Sequence, residues 1–566
     1  MPFSRRDLLR YSLALGSTIT VSTTLSGCAR ITQRNNLSDA RFLHGVASGD
    51  PESGALMLWT RADGKSDGDL RIAWELAADS AFDTVLRSGE VVTGMDRDNT
   101  IKVDVRELAP GTEYFYRFIS RDQVSPVGRG KTLPVGNVDS LRLVVFSCSN
   151  YPAGFFHAYR QAGELPGVDA FLHLGDYFYE YGMGGYATER AEELGRALPA
   201  DNAGELFTLQ DYRRRYALYR RDADLQAMHA AAPMIAVWDD HEIANDTWLH
   251  GAQNHSPDEG DFETRKAAAV QAYFEWLPLR PAQPDRTGRI YRRFEFGDLL
   301  SLHMLDTRLI GRDRQLEYAH YFDRETGELD SARFRSDLAD GARSLLGEEQ
   351  RQWLYDGLAT SDAQWQVLGQ QILMARMTMP AVLLNQMFAR RDDPAVQDLI
   401  AELVADKQAL QAGEVLPEER AQRLRQALPY NLDAWDGYPV ERERLYAVAK
   451  SLGKQLVVLA GDTHNAWSSD LHDAQGDLVG VEFATHSVSS PGMESYVGLT
   501  SESGARIAQA LPVLIDELQY CQLTDRGFME LNVRRDEVRV SWHFLDDVTV
   551  SQPVSYVHHR TLPASS

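Results

Sequence analysis

Six short apolar runs, each ending in a polar cluster, constrain this chain more than any other feature. Run 141–146 enters Ser147-Cys148-Ser149-Asn150, and run 170–174 enters Gly175-Asp176, with Tyr179 three residues on. Run 234–238 enters Asp239-Asp240-His241-Glu242, and run 300–305 enters Asp306-Thr307-Arg308. Run 365–368 enters Gly369-Gln370-Gln371, and run 456–460 enters Gly461-Asp462-Thr463-His464-Asn465. Short apolar runs bounded by turn residues read as buried strands. Open α/β sheets gather ligands at the carboxyl ends of their strands. One such junction means little, whereas six predict a single polar rim.

Each residue has a plainer reading when taken alone. Asp176 would cap a following helix, Tyr179 would be packed, and Cys148 would be a small buried hydrophobe. His464 would be a satisfied core histidine and Asp239-Asp240 a helix start. Those readings do not explain why all of them follow successive strands. Hard cations take carboxylate, phenolate and imidazole ligands, and thiolate suits softer or redox metals. Asp176 and Tyr179 can converge if the strand passes into a turn. Asp462 and His464, two apart, lie on one side of an extended segment. Asp240 and His241 come from a third strand end and Cys148 from a fourth. Two metal ions sharing Asp176 would polarise a phosphoryl group and supply a hydroxide near neutral pH. Arg308 and His241 are then the candidate donors to phosphoryl oxygens, and His241 can also protonate the leaving oxygen. The alternatives are a surface salt bridge for Arg308 and helix capping for His241.

The chain has 566 residues, long for one ordinary domain. Its net charge of −24 argues against nonspecific nucleic-acid binding, which needs Lys and Arg to displace counterions. An acidic protein that handles anions must create local positive charge, and metal ions do so compactly. The three cysteines, Cys28, Cys148 and Cys521, are no disulfide framework, and Cys521 reads as buried and unpaired.

Residues 1–28 read as an export address. Ser4-Arg5-Arg6-Asp7-Leu8-Leu9 is a twin-arginine pattern, and 11–25 is a weakly apolar stretch too polar and short for a membrane span. Leu25-Ser26-Gly27-Cys28 resembles a lipoprotein box that would make Cys28 a lipid anchor, while a small-residue site near Gly27 would equally serve a plain signal peptidase. Residues 38–135 read as an all-β module, with strands at 55–62, 70–77, 101–108 and 113–119. The stretch 108–116 resembles the late-strand corner of fibronectin type III sandwiches. No chemistry is assigned to this module. Residues 139–553 alternate strands and helices, the sign of a layered α/β domain. Within it, 380–429 is a helical insertion with Val396, Leu399, Ile400, Leu403, Val404 and Leu410 on one face. Residues 527–544 read as a hairpin turning at Arg534-Arg535-Asp536-Glu537.

The motifs SCSN at Ser147, GDYFYEYG at Gly175, WDDHEIAND at Trp238, LDTR at Leu305, NLDAWDGYP at Asn431 and GDTHNAW at Gly461 resemble those of PhoD-like alkaline phosphatases, in the same order. The resemblance implies a calcineurin-like two-sheet metallophosphoesterase sandwich flanked by helices, preceded by a small fibronectin/Ig-like all-β domain. It implies iron(III) held by Cys148, Asp176, Tyr179 and His464, with a phenolate charge-transfer colour. It implies calcium sharing Asp176 and using Asp240 and Asp462, with Arg308 meeting the phosphate. Asn245 and Asp246 are left without a role. Thr485-His486-Ser487 departs from the Thr-Pro-Ser of the family, so His486 is assigned nothing. The activity expected is hydrolysis of phosphate mono- or diesters by an exported enzyme, periplasmic or at the cell surface, delivered by the twin-arginine machinery. A phospholipase D-type diesterase is the nearest alternative, and a noncatalytic calcium-binding surface protein is one of another class.

Overall fold

The computed structural model describes residues 34–64, 68–280, 288–323, 329–389 and 394–564. The export address and Cys28 lie outside the described residues. All six apolar runs form strands: Ser140–Phe146, Ala170–His173, Met234–Ala236, Leu300–Met304, Trp365–Gly369 and Leu456–Ala460. Three fall in each of two sheets, and neighbours among them run parallel. Parallel strands covered on both faces have no polar side, which explains why these runs show no alternation.

The first sheet has nine strands, in the order Ser555–Pro563, Glu537–Leu545, Arg526–Arg534, Ser140–Phe146, Ala170–His173, Met234–Ala236, Val46–Glu52, Ala55–Arg61 and Thr100–Arg106. The second has seven, in the order Arg292–Phe296, Leu300–Met304, Trp365–Gly369, Leu456–Ala460, Leu478–Ala484, Ala466–His472 and Leu518–Gln522. The sheets share a core. Val457 and Leu459 belong to the cluster containing Val144, Phe146, Phe171 and Leu172. Leu456, Val458 and Ala460 belong instead to the outer cluster with Leu445, Tyr446 and Ala449 of helix Pro439–Ser451. That is the period of two by which a strand divides its side chains. Trp542 Nε1 donates to the Ala484 carbonyl at 2.9 Å and Trp365 Nε1 to the Arg534 carbonyl at 2.7 Å, tying one sheet to the other.

The amino-terminal region is all-β as expected. Four strands, Val85–Thr93, Leu70–Ala77, Glu113–Ile119 and Gly128–Lys131, form a separate sheet. It packs through Leu70, Ile72, Trp74 and Phe118 in one core with Leu56, Leu58 and Val103. The Tyr114 hydroxyl accepts from the Ala109 N–H at 2.8 Å, the contact that defines the tyrosine corner of such sandwiches. The other sheet of this sandwich is the end of the nine-stranded one, joined where Gly49 pairs with Met234. The boundary between 135 and 139 therefore divides the chain but not the sheet.

The helical insertion is closed at its base by an antiparallel ladder of Thr378–Pro380 with Ala427–Pro429. Its long helix, Pro394–Gln411, buries Val396, Ile400 and Leu403 in the cluster that also holds Ile507 and Leu511 of helix Ser501–Leu514. Leu410, expected on the same face, is 39% exposed. The hairpin at the end of the chain forms from Arg526–Arg534 and Glu537–Leu545.

Candidate active site

The loops that follow the strands meet at one place, and their backbones are strained there. Cys148, Asp176, Asp246, Asp462 and His464 have φ of 61°, 54°, 51°, 64° and 64°. Left-handed backbone is sparse for side chains other than glycine and costs roughly 1–3 kcal/mol each unless the surroundings impose it. Here they do. The Cys148 N–H donates to the Gly175 carbonyl at 3.1 Å and the Ser149 N–H to the Asp176 carbonyl at 2.8 Å. The Glu242 carboxylate accepts from the N–H groups of Asp176 at 3.0 Å, Tyr177 at 2.6 Å and Asp239 at 2.8 Å. Gly175 has φ 114°, and a Cβ on it would stand 2.3 Å from the Cβ of Asp239. A side chain at 175 would therefore push these two loops apart.

Among the described residues three groups of ligand atoms result, each with its atoms within 4.8 Å of one another: Cys148, Asp176 and His464; Asp176, Asp240 and His241; and Asp239, Asp240 and Asp462. Asp176 belongs to the first two and Asp240 to the last two. The Tyr179 hydroxyl donates to Asp176 Oδ2 at 3.1 Å, lies 2.9 Å from His464 Nε2 and accepts from Ser490 Oγ at 2.8 Å. Cys148, Tyr179 and His464 therefore gather on Asp176. No helix follows Asp176 and none begins at Asp239, so capping explains neither. One expectation needs correction. Asp462 and His464 do not share a side of an extended segment. Left-handed φ at both turns the loop tightly, sending His464 to the first group and Asp462 to the third.

The donor set fits hard or intermediate cations. His464 Nδ1 faces the Pro491 carbonyl at 2.6 Å, which fixes the proton on that nitrogen and leaves Nε2 bare for a ligand bond. Burial pushes His464 down to about 3, so the ring is neutral. Burial, reinforced by Asp240, Asp239 and Glu242 against His241, drives Asp176 well above the carboxylate range. Asp462 is driven up by burial and by Asp239 and Asp433, and Cys148 and Tyr179 by burial and by Asp176. Asp176 Oδ1 and Asp239 Oδ2 are buried with no hydrogen-bond partner. So many acids in one dry place ionise together only if cations sit among them.

Arg308 and His241 supply the protein's own positive charge. His241 Nδ1 lies 2.7 Å from Glu180 Oε2, leaving Nε2 for the cluster. Burial disfavours the imidazolium, but Asp240, Glu180 and Asp176 outweigh it and raise His241 well above the ordinary histidine value. Arg308 is fully buried, which rules out the surface salt bridge. In the structure Nε donates to Asp239 at 2.5 Å, Nη1 to Asp433 at 2.9 Å and Nη2 to Asp462 at 3.2 Å. Three of its five N–H groups are engaged by carboxylates, so it orients the acidic cluster. Asp246, without an assigned role, donates its N–H to Asp240 Oδ2 at 2.6 Å and is pushed up to about 7 by burial and Asp433. His486 lies away from the site, its Nε2 2.9 Å from the His543 carbonyl and its ring on Phe544.

Glu180, Asp239, Glu242 and Asp433 were missed from sequence. All four lie inside quoted motifs, and the signal available was that those motifs hold more acids than ligand positions.

Comparison with known proteins identifies the family of the chain. Residues 143–542 match the model for the PhoD-like phosphatase family and 27–134 that for its N-terminal domain. Alkaline phosphatase D of Bacillus subtilis (strain 168) is 34% identical across 99% of this chain and 88% of its own length. A solved structure of PhoD superposes with TM-score 0.72 at 30% identity, covering 94% of each chain. The chain belongs to the PhoD-like phosphatase family.

Proposed function

We propose that this phosphoric ester hydrolase is exported, holds iron(III) and calcium, and releases phosphate from organic mono- and diesters at alkaline pH. The observation that carries the reading is the sharing of Asp176 between two adjoining ligand groups, one with the Cys148 thiol, the His464 imidazole and the Tyr179 phenol beside them, the other with Asp240 and His241 and joined through Asp240 to Asp239 and Asp462. Cys148, Asp176, Tyr179 and His464 suit iron(III), and Asp176, Asp240 and Asp462 suit calcium, with Asp239 beside them. Cations bound there would supply Lewis acidity toward a phosphoryl oxygen and lower the pKa of water.

The chain's own groups then have distinct tasks. Glu180 fixes the ring of His241, whose Nε2 can hand a proton to the leaving oxygen. Arg308 holds Asp239, Asp433 and Asp462 in place, so that those carboxylates do not relax when a charged ester arrives. The twin-arginine pattern at 4–9 supports export of the folded, metal-loaded protein, and Leu25-Ser26-Gly27-Cys28 supports anchoring at the membrane surface. Such an anchor favours lipid diesters, so a phospholipase D-type activity is the second reading. Family membership removes the noncatalytic surface protein from consideration.

Asp176→Ala is expected to abolish turnover of both an aryl phosphate monoester and a diester while the protein stays folded. Undiminished turnover would overturn the assignment. Elemental analysis of the purified holoprotein should find both metals. Calcium without iron would reject the iron site, and the monoester-to-diester ratio on that preparation separates the two esterase readings.

A further inference from the structure

Tyrosines gather beside the ligand groups. Tyr181 and Tyr186 lie on the loop after Gly175-Asp176, their ring centroids 6.1 Å apart. The Tyr181 ring is 5.5 Å from that of His241, and the Tyr186 ring is 6.1 Å from that of His464. Tyr496 lies on the short helix Met493–Val497, and its side chain meets Tyr186 close to Asp462, Asp176 and His241. That helix is seated on the site's own loop, because the Met493 N–H donates to Asn465 Oδ1 at 3.1 Å. The Tyr186 hydroxyl donates to the Pro491 carbonyl, the same group that holds His464. Tyr181 and Tyr186 are half-buried and Tyr496 is 46% exposed, above ligand residues that are almost fully buried.

The nearby arginines offer no free charge. Arg308 is enclosed by carboxylates, and Arg526 is spent on Glu494 and on the carbonyls of Thr524 and Asp525. Recognition of the phosphoryl charge therefore falls to the centre itself, and the organic part of the ester meets flat aromatic faces. A single exposed tyrosine on a surface is ordinary. Three from two separate segments, one a loop and one a short helix, gathered beside one ligand cluster, form a shared aromatic surface.

Resting on the phosphoesterase reading above, we propose that Tyr181, Tyr186 and Tyr496 form a subsite for the alcohol portion of the ester. It selects a planar aromatic or nucleoside group over a small alkyl one. Stacking of a base on an aromatic side chain is worth roughly 1–3 kcal/mol when tested by alanine substitution, about five- to 150-fold.

The test compares kcat/KM of the metal-loaded enzyme for a nucleoside 5′-phosphate and ethyl phosphate, both leaving as primary alcohols, and for the methyl diesters of each. Wild type is expected to favour the nucleoside member by about tenfold or more, mainly through KM. Tyr496→Ala and Tyr181→Ala should each shrink that preference about fivefold or more, and Tyr496→Phe should retain it. An unchanged preference in both alanine variants, or equal losses on nucleoside and ethyl esters, would overturn the subsite. If the wild-type holoenzyme turns over none of the four esters, the phosphoesterase reading itself fails.

Discussion

Glu242 belongs to none of the three ligand groups, yet the Asp176 and Asp239 loops hang from its carboxylate by three backbone N–H groups. Burial pushes it up to about 7, a second sign that its surroundings are dry. Glu242→Gln keeps the volume but replaces one acceptor oxygen with an amide nitrogen, so at least one buried N–H loses its partner. Such a loss costs about 1–3 kcal/mol. The expected result is a drop of that size in unfolding free energy, together with weaker metal retention on dialysis. Wild-type stability and metal content in the variant would show that the loops are held elsewhere. The contrast with Cys148, Asp176 and His464 explains what could be read from sequence. Each of those follows an apolar run and has a side chain whose chemistry stands out. Glu242 and Glu180 act by accepting N–H groups, and an acid that accepts N–H groups looks in sequence like any other acid. Arg308 was placed at the site, but its partners, and hence its task, were invisible until Asp239, Asp433 and Asp462 were seen around it.

Among the elements, strands with continuous or alternating apolar runs were legible, and strands interrupted by Gly and Pro or lacking a clear apolar pattern were not. Val46–Glu52 carries Gly49 and Pro51, Val85–Thr93 is broken by Arg87-Ser88-Gly89-Glu90 and only partly buried, and Ser555–Pro563 is largely polar and exposed. They form because a neighbouring strand supplies the backbone partners, a cause that local pattern does not record. The hairpin ending the chain was legible from its alternation, and it contains an ionic tie that was not. Glu530, in the middle of Arg526–Arg534, accepts from Arg142 Nε at 2.8 Å and Asn532 Nδ2 at 2.6 Å, and lies 2.9 Å from His543 Nε2. Burial alone would raise Glu530, but the hydrogen bonds from His543, Arg142 and Asn532 prevail and lower it to about 2 from 4.5. A lowered folded-state value means the fold favours the carboxylate. The stabilisation is complete above the unfolded value and disappears as pH falls from about 4.5 toward about 2. Wild type should therefore lose more of its urea midpoint than Glu530→Gln across that acid interval, the two converging at the bottom. Parallel declines would show that Glu530 contributes nothing to acid stability.

At the scale of the whole molecule, the question is whether the amino-terminal sandwich is an appendage or part of the phosphatase body. The sequence suggested two modules because turn-rich strands give way to alternating strands and helices near 135–139. The structure runs one sheet through both. At the seam Gly49 pairs with Met234, and a Cβ on Gly49 would lie 2.6 Å from the Met234 carbonyl and 2.5 Å from that of Pro278. Around the seam Trp59 Nε1 donates to the Glu275 carbonyl at 2.8 Å, Lys102 Nζ to the Leu279 carbonyl at 2.8 Å, and Arg292 Nη2 to Asp50 at 2.6 Å. Trp59 is fully buried in the same core as Phe171 and Trp238, so removing the sandwich would bare a strand edge and an aromatic face together. The two regions should accordingly unfold in a single calorimetric transition. Gly49→Val forces side-chain atoms against two carbonyls, and overpacking of this kind costs about 1–3 kcal/mol. Because the seam is common property, that loss should move the whole transition and lower the temperature at which esterase activity disappears. A thermogram with two separate transitions, of which only the amino-terminal one shifts in Gly49→Val, would show that the shared sheet does not couple the halves.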